Sequence, residues 1–143
     1  MKRVFFILCT VLLAAGAYAF DPNEKVLKSF KETFANAEDV KWAEYENYYT
    51  VSFVSGKIRA KVNYDKEGIM LGSTRYYTPN LLPIGILNSV KKAFPKKKLF
   101  GVTEITAEGE VNYYVKMEDE KFWTTIKVDD SGNYSVYEKY KKG

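Results

Sequence analysis

Two stretches of this chain, VLKSFKETF at residues 26–34 and ILNSVKKAF at residues 86–94, are nearly the same. Four of the nine positions are identical and carry Leu, Ser, Lys and Phe. In each stretch apolar residues recur at every fourth position, a spacing that places them on one side of an α-helix. These residues are Val26, Phe30 and Phe34 in the first copy and Ile86, Val90 and Phe94 in the second. The repetition predicts two equivalent amphipathic helices, and with them a duplicated fold.

The first helix has a recognisable start. Asp21 is placed to cap it, Pro22 fits the first helical position, and Glu24 completes a capping box. From this start the apolar stripe predicts a helix of about 14 residues. Pro95 is predicted to end the second helix, because a proline ring cannot continue an α-helix.

After each helix the apolar residues change to simple alternation, which is typical of half-buried β-strands. Strands are predicted at 47–55, 57–64 and 69–77 in the first half and at 110–118, 121–128 and 134–140 in the second, with further candidates at 40–45 and 102–106. Acidic turns at 65–68 and 129–133 precede the last strand of each half. The predicted fold class is therefore α+β, with tandem duplicated α-β-β-β(-β) units and an antiparallel sheet.

The alternation leaves one face of the sheet apolar and the other mixed. A sheet of this pattern packs a helical layer on one side only, so both helices are expected on the same face. The connector PNLLP at residues 79–83 carries two leucines and is not expected to be a flexible linker. We therefore predict one domain, residues 20–143, in which repeats 20–78 and 79–143 share one sheet and one core.

The first 19 residues have the features of a secretory signal peptide. Lys2 and Arg3 precede an apolar run, and Ala17 and Ala19 supply the small residues of a cleavage site. The run is shorter than the roughly 20 residues of a membrane-spanning helix. Cleavage after Ala19 is predicted, which implies a periplasmic or secreted protein without a stable membrane anchor.

Composition removes several classes of chemistry. The chain has no histidine, and its single cysteine, Cys9, would leave with the signal peptide. Thiol nucleophiles, histidine bases and Cys/His metal sites are therefore not expected. No cofactor is predicted. The net charge of +4 falls to +2 without Lys2 and Arg3, which is too balanced to favour nucleic acid as a partner.

Three other patterns are weaker candidates for functional sites. Glu104, Glu108 and Glu110 could pair as glycosidase acids, but a run of glutamates is more commonly a solvated loop. The acidic turns lack the ligand spacing of a calcium loop. Ser29 and Ser89 recur in both helices without a histidine to activate them. The protein is accordingly predicted not to be an enzyme.

The mixed face of the sheet is the stronger candidate for a binding site. If Ile58, Val62 and Val115 face the helices, rings and cations alternate onto the opposite face. The predicted partner-binding residues are Tyr48, Arg59, Lys61, Tyr76, Tyr114, Lys116, Trp123, Lys127 and Tyr137. Tyr, Trp and Arg carry much of the binding energy at protein interfaces. The alternative is that strands favour tyrosine and threonine on half-exposed surfaces without any partner.

The lysine-rich segment KKAFPKKK at residues 91–98 also has two interpretations, one structural and one functional. Lys91 and Lys92 fall in the last turn of the second helix, where cations interact favourably with the helix dipole. A solvated helix end is the simpler interpretation. Contact with anionic lipid headgroups or acidic glycans is the alternative.

The order of these segments resembles a known family. The matching segments are FANA (34–37), VKW (40–42), YYTVSF (48–53) and DKEG (65–68), then LP (82–83), AFP (93–95), VNYYVKM (111–117) and VDDSGNY (128–134). Together they resemble the PepSY-like, or β-lactamase-inhibitor-protein-like (BLIP-like), exported proteins of Bacteroidetes. Ala35 stands where the family usually has proline. The resemblance implies a tandem αβ fold and residence outside the cytoplasm, but it carries over no catalytic residue and no residue for β-lactamase inhibition.

Taken together, the residues predict an exported, non-catalytic binding module. Its partner would be a protein or peptide in the cell envelope, bound through the open face of the sheet, and inhibition of an envelope enzyme is one version of this hypothesis. One alternative is a small-ligand binder that holds a lipid, glycan or peptidoglycan fragment between sheet and helices. Another is a structural envelope protein. The identity of the partner and the oligomeric state are left open.

Overall fold

The structure, a computed structural model, describes residues 20–143. The predicted signal peptide, residues 1–19, lies outside the described residues. The first half consists of α1 (Glu24–Thr33), β1 (Glu38–Glu44), β2 (Tyr48–Ser55), β3 (Ile58–Asp65) and β4 (Met70–Tyr77). A 3₁₀ helix (Pro79–Leu81) leads to α2 (Ile84–Ala93), β5 (Lys98–Ala107), β6 (Glu110–Glu118), β7 (Phe122–Asp129) and β8 (Tyr134–Lys141).

The eight strands form one antiparallel sheet in which they lie in chain order, with β1 and β8 at its edges. Both helices pack on the same face of this sheet, α1 over β2 and β3 and α2 over β5, β6 and β7. The predicted α+β fold and the packing of both helices on one face are therefore confirmed. Each unit has four strands, so both of the weaker strand candidates are present and longer than predicted.

The start of α1 differs from the prediction. Asn23, not Asp21, caps the helix, because its side-chain oxygen accepts a 3.1 Å hydrogen bond from the Val26 backbone N–H. The amide nitrogen of the same side chain donates to the carbonyl oxygen of Lys66 at 2.9 Å. Asn23 thus ties the helix to the turn between β3 and β4, and the helix has 10 residues rather than about 14.

Local geometry repeats along with the sequence. Phe34 and Phe94 end their helices with φ angles of −125° and −128°, and each backbone N–H donates to the carbonyl oxygen four residues earlier. The two acidic turns also match, since the Asp65 N–H bonds the Ile69 carbonyl and the Asp129 N–H bonds the Asn133 carbonyl. The turn glycines, Gly68 and Gly132, have φ angles of +86° and +89°, a region that glycine adopts without strain.

The buried residues of the interior fall into two clusters, and Tyr77 and Ile58 of the first repeat pack in the second of them. One lies under α1 and contains Val26, Phe30, Tyr49, Val51, Phe53, Ala60, Val62 and Tyr64. The other lies under α2 and contains Tyr77, Leu82, Ile86, Leu87, Val90, Val102, Tyr113, Val115, Met117, Ile126 and Val128. Leu82 is buried, as expected of an ordered connector.

A polar contact separates the two clusters at the middle of the sheet. Arg75 of β4 lies opposite Glu104 of β5, and its Nη1 is 3.0 Å from Glu104 Oε1. The Tyr77 hydroxyl donates a 2.5 Å hydrogen bond to Glu104 Oε2. A buried carboxylate needs such partners, because an isolated charge is costly to remove from water. The prediction that Glu104 belongs to a solvated loop is therefore wrong: it is 8% exposed and structural.

Candidate functional site

Register determines which residues lie on the open face, the face of the sheet opposite the helices. Tyr113, Val115 and Met117 are buried against α2. Successive side chains of a strand point to opposite faces, so Tyr114 and Lys116 lie on the open face. The cross-strand pairs extend this alternation over β2 to β8. By this register, the predicted partner-binding residues belong to the open face.

Five side chains of this face form one row across the sheet. In order from β3 to β7 they are Arg59, Tyr76, Thr103, Tyr114 and Lys127, each directly opposite the next. We call this set the central row. Neighbouring strands are about 4.8 Å apart, so the row spans about 19 Å. Four of its five members were predicted from the sequence, and Thr103 was not.

Two further predicted cations flank the central row. Lys61 lies two residues after Arg59 on β3, on the same face, and is paired with Ser52 of β2 and Thr74 of β4. Lys116 lies two residues after Tyr114 on β6, on the same face, and is paired with Gly101 of β5 and Thr125 of β7.

Aromatic contacts extend the site toward β8. The rings of Tyr114 and Tyr137 pack edge to face with centroids 5.0 Å apart. Tyr114 is consequently half-buried. Trp123 and Phe100 pack in the same way at 5.4 Å, and the Lys142 ammonium lies 4.3 Å from the centroid of a Trp123 ring. Edge-to-face pairs of this kind hold rings in place before any partner arrives.

Tyr48 does not join the other predicted residues. It lies at the start of β2, six residues from Val54, the residue that pairs with Arg59. Six residues of strand span about 20 Å. Tyr48 instead stacks on Tyr45 with ring centroids 4.6 Å apart, next to the turn between β1 and β2.

Two aromatic residues of the open face, Phe100 and Tyr140, were missed. Phe100 lies within a β-bulge between Leu99 and Gly101, and Tyr140 follows a bulge opposite the Thr125–Ile126 step. The bulge in β8 brings Tyr140 opposite Trp123.

Charge on the open face is unbalanced. One ion pair, Lys142–Glu118, lies on this face beside Trp123, and others, such as Arg75–Glu104, lie on the helical side. Within the same residues, no carboxylate lies within 4.0 Å of the charged nitrogens of the four predicted cations, which are Arg59, Lys61, Lys116 and Lys127. Unpaired cations beside aromatic rings favour an anionic partner.

Two shallow depressions lie on either side of the Arg59–Tyr76 pair, and both of these residues line each depression. One has a volume of about 620 Å³ and is also lined by Lys41, Val54 and Lys61. The other has a volume of about 370 Å³ and extends to Lys116. The guanidinium carbon of Arg59 is 5.9 Å from the centroid of the Tyr76 ring, within the range of a cation–π interaction.

The lysine-rich segment is more structural than predicted. Lys97 forms an ion pair with Asp119. The Lys97 ammonium donates a hydrogen bond to the Asp119 carboxylate, and the backbone N–H groups of Lys121 and Phe122 donate two more. Together these hydrogen bonds hold the pKa of Asp119 well below its usual value. Lys91 and Lys92 are exposed in the last turn of α2, as expected.

The carboxylates of the two acidic turns have a structural role. In the described part of the chain, no three carboxylates are placed to hold a metal ion. Asp65 and Asp129 each use one carboxylate oxygen to accept two backbone N–H groups of their own turns. None of the helices described is long and apolar enough to cross a membrane.

Comparison with solved structures identifies the fold. A BLIP-like protein from Bacteroides fragilis aligns with a TM-score of 0.60 and 17% identity, covering 87% of this chain and 90% of its own. This chain has the fold of the BLIP-like proteins of Bacteroides.

Two other structures share the BLIP-like fold with this chain. A DUF2874 family protein from Bacteroides ovatus has a TM-score of 0.60, 14% identity and coverage of 85% and 89%. A proposed periplasmic protein from Bacteroides eggerthii has a TM-score of 0.59, 15% identity and coverage of 85% and 90%. No protein-family model and no curated protein matched the chain. At these identities the likeness concerns the BLIP-like fold alone.

Proposed function

We propose that this protein is a non-catalytic binding module that uses the open face of its sheet to bind an acidic segment of another protein or peptide. The central row and the cations beside it form the contact surface. Rings that are already packed against one another lose little freedom on binding, and this favours affinity. The partner would supply carboxylates to Arg59, Lys61, Lys116 and Lys127.

A single observation carries this proposal: four cations share one face with packed rings and have no ion pair among residues 20–143. Lys66 and Lys97, by contrast, are neutralised by carboxylates of the same molecule. Leaving a cluster of like charges unpaired costs some folding energy through repulsion. A partner with the opposite charge would offset that cost.

The cell envelope or the extracellular space is the proposed place of action. Residues 1–19 have the pattern of a signal peptide, and one protein of similar fold is described as a proposed periplasmic protein. Within that setting, binding would act by blocking or recruiting its partner. Inhibition of an envelope enzyme is the form of this proposal that an activity assay on the captured partner would test.

Capture from the envelope fraction of the native organism tests the proposed function. The bait is the protein of residues 20–143, compared with a Tyr114→Ala, Trp123→Ala double variant that retains its circular dichroism spectrum. A matched control carries Lys28→Ala, a change on the helical face. A partner held by the wild type and the control but lost with the double variant supports the proposal. Equal capture by all three proteins would rule out the open face.

A further inference from the structure

The residues that the two helices share coincide only in part with the core stripe, of which Phe34 and Phe94 are members. The identical pairs are Leu27 and Leu87, Ser29 and Ser89, Lys31 and Lys91, and Phe34 and Phe94. The stripe itself varies, since the central Phe30 of the first helix corresponds to Val90 of the second. Packing accounts for part of the identity, because Leu87 is buried in the cluster under α2 and Phe34 and Phe94 pack against the two clusters. The shared lysines lie outside this packing.

Three of the four shared pairs line a groove beside their own helix. Leu27, Lys31 and Phe34 line a groove of about 850 Å³ between α1 and β1. Leu87, Lys91 and Phe94 line one of about 570 Å³ beside α2. Because these positions are four and then three residues apart, they form one side of each helix. The duplication has thus repeated a groove as well as a fold.

The first groove is largely aromatic. Its lining includes Phe20, Phe34 and Trp42, and the ring of Trp42 packs edge to face against Phe30 at 5.2 Å. Lys31 is exposed and has no ion pair among residues 20–143. Asp21 and Lys41 also line the groove, and their charges are of opposite sign. The charge of Lys31 therefore gives the groove its net positive character.

The second groove is also lined by apolar residues and by lysines, but most of its apolar residues are smaller than the aromatic residues of the first groove. Pro95 and Leu99 line it with Phe94 and Leu87. Lys97 lies there too, but its charge is paired with Asp119. Lys91 corresponds to Lys31 and is likewise exposed and without an ion pair in the described residues. An apolar lining with one free ammonium is common to both grooves.

We propose that the two grooves are equivalent sites for anionic amphiphiles, each taking an unbranched apolar chain along its lining and the anionic group at Lys31 or Lys91. Both volumes fall in the range of about 300–1,000 Å³ that is usual for small-molecule sites. The anionic group is a carboxylate, as in a fatty acid, or a phosphate, as in a single-chain phospholipid. These sites lie on the helical side of the sheet and do not depend on the open face.

The two tryptophans of the chain allow each surface to be observed separately. Trp42 lines the first groove and Trp123 lies on the open face, and the sequence contains no third tryptophan. In a Trp123→Phe variant, tryptophan fluorescence, excited selectively over that of the tyrosines, reports on the groove alone. This protein would be titrated with decanoate, decyl phosphate and neutral decanol, all below their aggregation concentrations.

A saturable change in Trp42 emission with decanoate or decyl phosphate is expected, and decanol should bind more weakly. Adding Lys31→Met should weaken binding of the anions roughly tenfold, the effect of losing one charged hydrogen bond. Lys28→Met, on the same helix but outside the groove lining, should leave binding unchanged. The response to the two anions identifies which headgroup the site takes. No saturable change, or equal effects of Lys31→Met and Lys28→Met, would overturn the proposal.

Calorimetric stoichiometry tests the equivalence of the two grooves. Two binding events per chain are expected in the wild type, and Lys91→Met should weaken one of them while the neighbouring Lys92→Met does not. A circular dichroism melt shows whether each variant is folded. A single event that is insensitive to Lys91→Met in folded protein would show that the second groove is not a site.

Discussion

Arg59 and Tyr76 lie directly opposite each other on β3 and β4, with the guanidinium carbon 5.9 Å from the centroid of the tyrosine ring. The pair lines both depressions of the open face. Within residues 20–143 the charge of Arg59 is not neutralised by a carboxylate. The ring therefore orients a cation whose charge remains available to a partner, and this relationship is the centre of the proposed binding surface.

Replacing Arg59 with methionine keeps an unbranched apolar stem but removes the charge. We expect the affinity for the captured partner to fall roughly tenfold, because one charge-assisted hydrogen bond is lost. The free energy of unfolding should change by no more than about 0.5 kcal/mol, as for other exposed positions. Surface plasmon resonance at two salt concentrations measures the first effect and urea unfolding the second. Unchanged affinity at low salt would count against the role of Arg59.

Gly68 and Gly56 provide a matched pair for backbone strain. Both have positive φ angles, but a Cβ added at Gly68 would lie 2.8 Å from the Lys25 carbonyl oxygen, whereas at Gly56 it would meet nothing within 4 Å. Gly56→Ala should cost about 1 kcal/mol from conformation alone. Gly68→Ala should cost about 2–4 kcal/mol, because the turn must also move away from α1. Equal losses in urea unfolding would mean that the turn does not support the helix.

Tyr77 contributes a hydrogen bond to the buried Glu104 carboxylate. Tyr77→Phe removes that donor and leaves Arg75 as the remaining partner. We expect a loss of about 1.5–3 kcal/mol in the free energy of unfolding, the usual value for a hydrogen bond to a charged group. Binding at the open face should not change, since Tyr77 is buried on the helical side. A loss of partner binding in folded Tyr77→Phe protein would contradict this separation.

Tyr64 is expected to make the free energy of unfolding fall as the pH rises above 10. Burial raises its pKa to about 12 from a reference value of 10.0. The unfolded chain therefore releases this proton first, so the stabilisation is complete below pH 10 and is lost as the pH rises to about 12. The Tyr64 hydroxyl has no hydrogen-bond partner among the described residues. Tyr64→Phe should stabilise the protein by up to about 1 kcal/mol at neutral pH.

Tyr64→Phe should also make the free energy of unfolding depend less steeply on pH between pH 10 and 12. Tyr77 retains a raised pKa, because burial and the hydrogen bond to Glu104 both disfavour its ionised form, so some slope will persist. Unfolding in urea at a series of pH values measures both effects. A slope identical to that of the wild type would show that Tyr64 does not titrate in this range.

Much of the architecture was predictable because the residues repeat and alternate. The helices were found from the spacing of Val26, Phe30 and Phe34, and the open face from single alternation around Tyr114. These periods depend on the geometry of helix and strand and need no knowledge of distant contacts. The same reasoning placed four members of the central row correctly on the open face.

What the sequence did not reveal depends on contacts between distant segments. Asn23 rather than Asp21 caps α1 because Asn23 also reaches the carbonyl of Lys66, 43 residues away. Glu104 is buried because Arg75 and Tyr77 come from the neighbouring strand. Phe100 was missed because the predicted strand begins only at residue 102, whereas pairing with β6 extends β5 back to Lys98 through a bulge that the sequence of one strand does not reveal.

Photo-crosslinking from the central row tests the central claim most directly. The photoreactive residue p-benzoylphenylalanine would replace Thr103, which lies between Tyr76 and Tyr114, or Asn88, which is exposed on α2 as a control. Both variants would be irradiated in the envelope of the native organism. The account predicts a discrete crosslinked protein from position 103 and none from position 88. A crosslink from position 88 alone would place the partner on the helical face and contradict the proposed function.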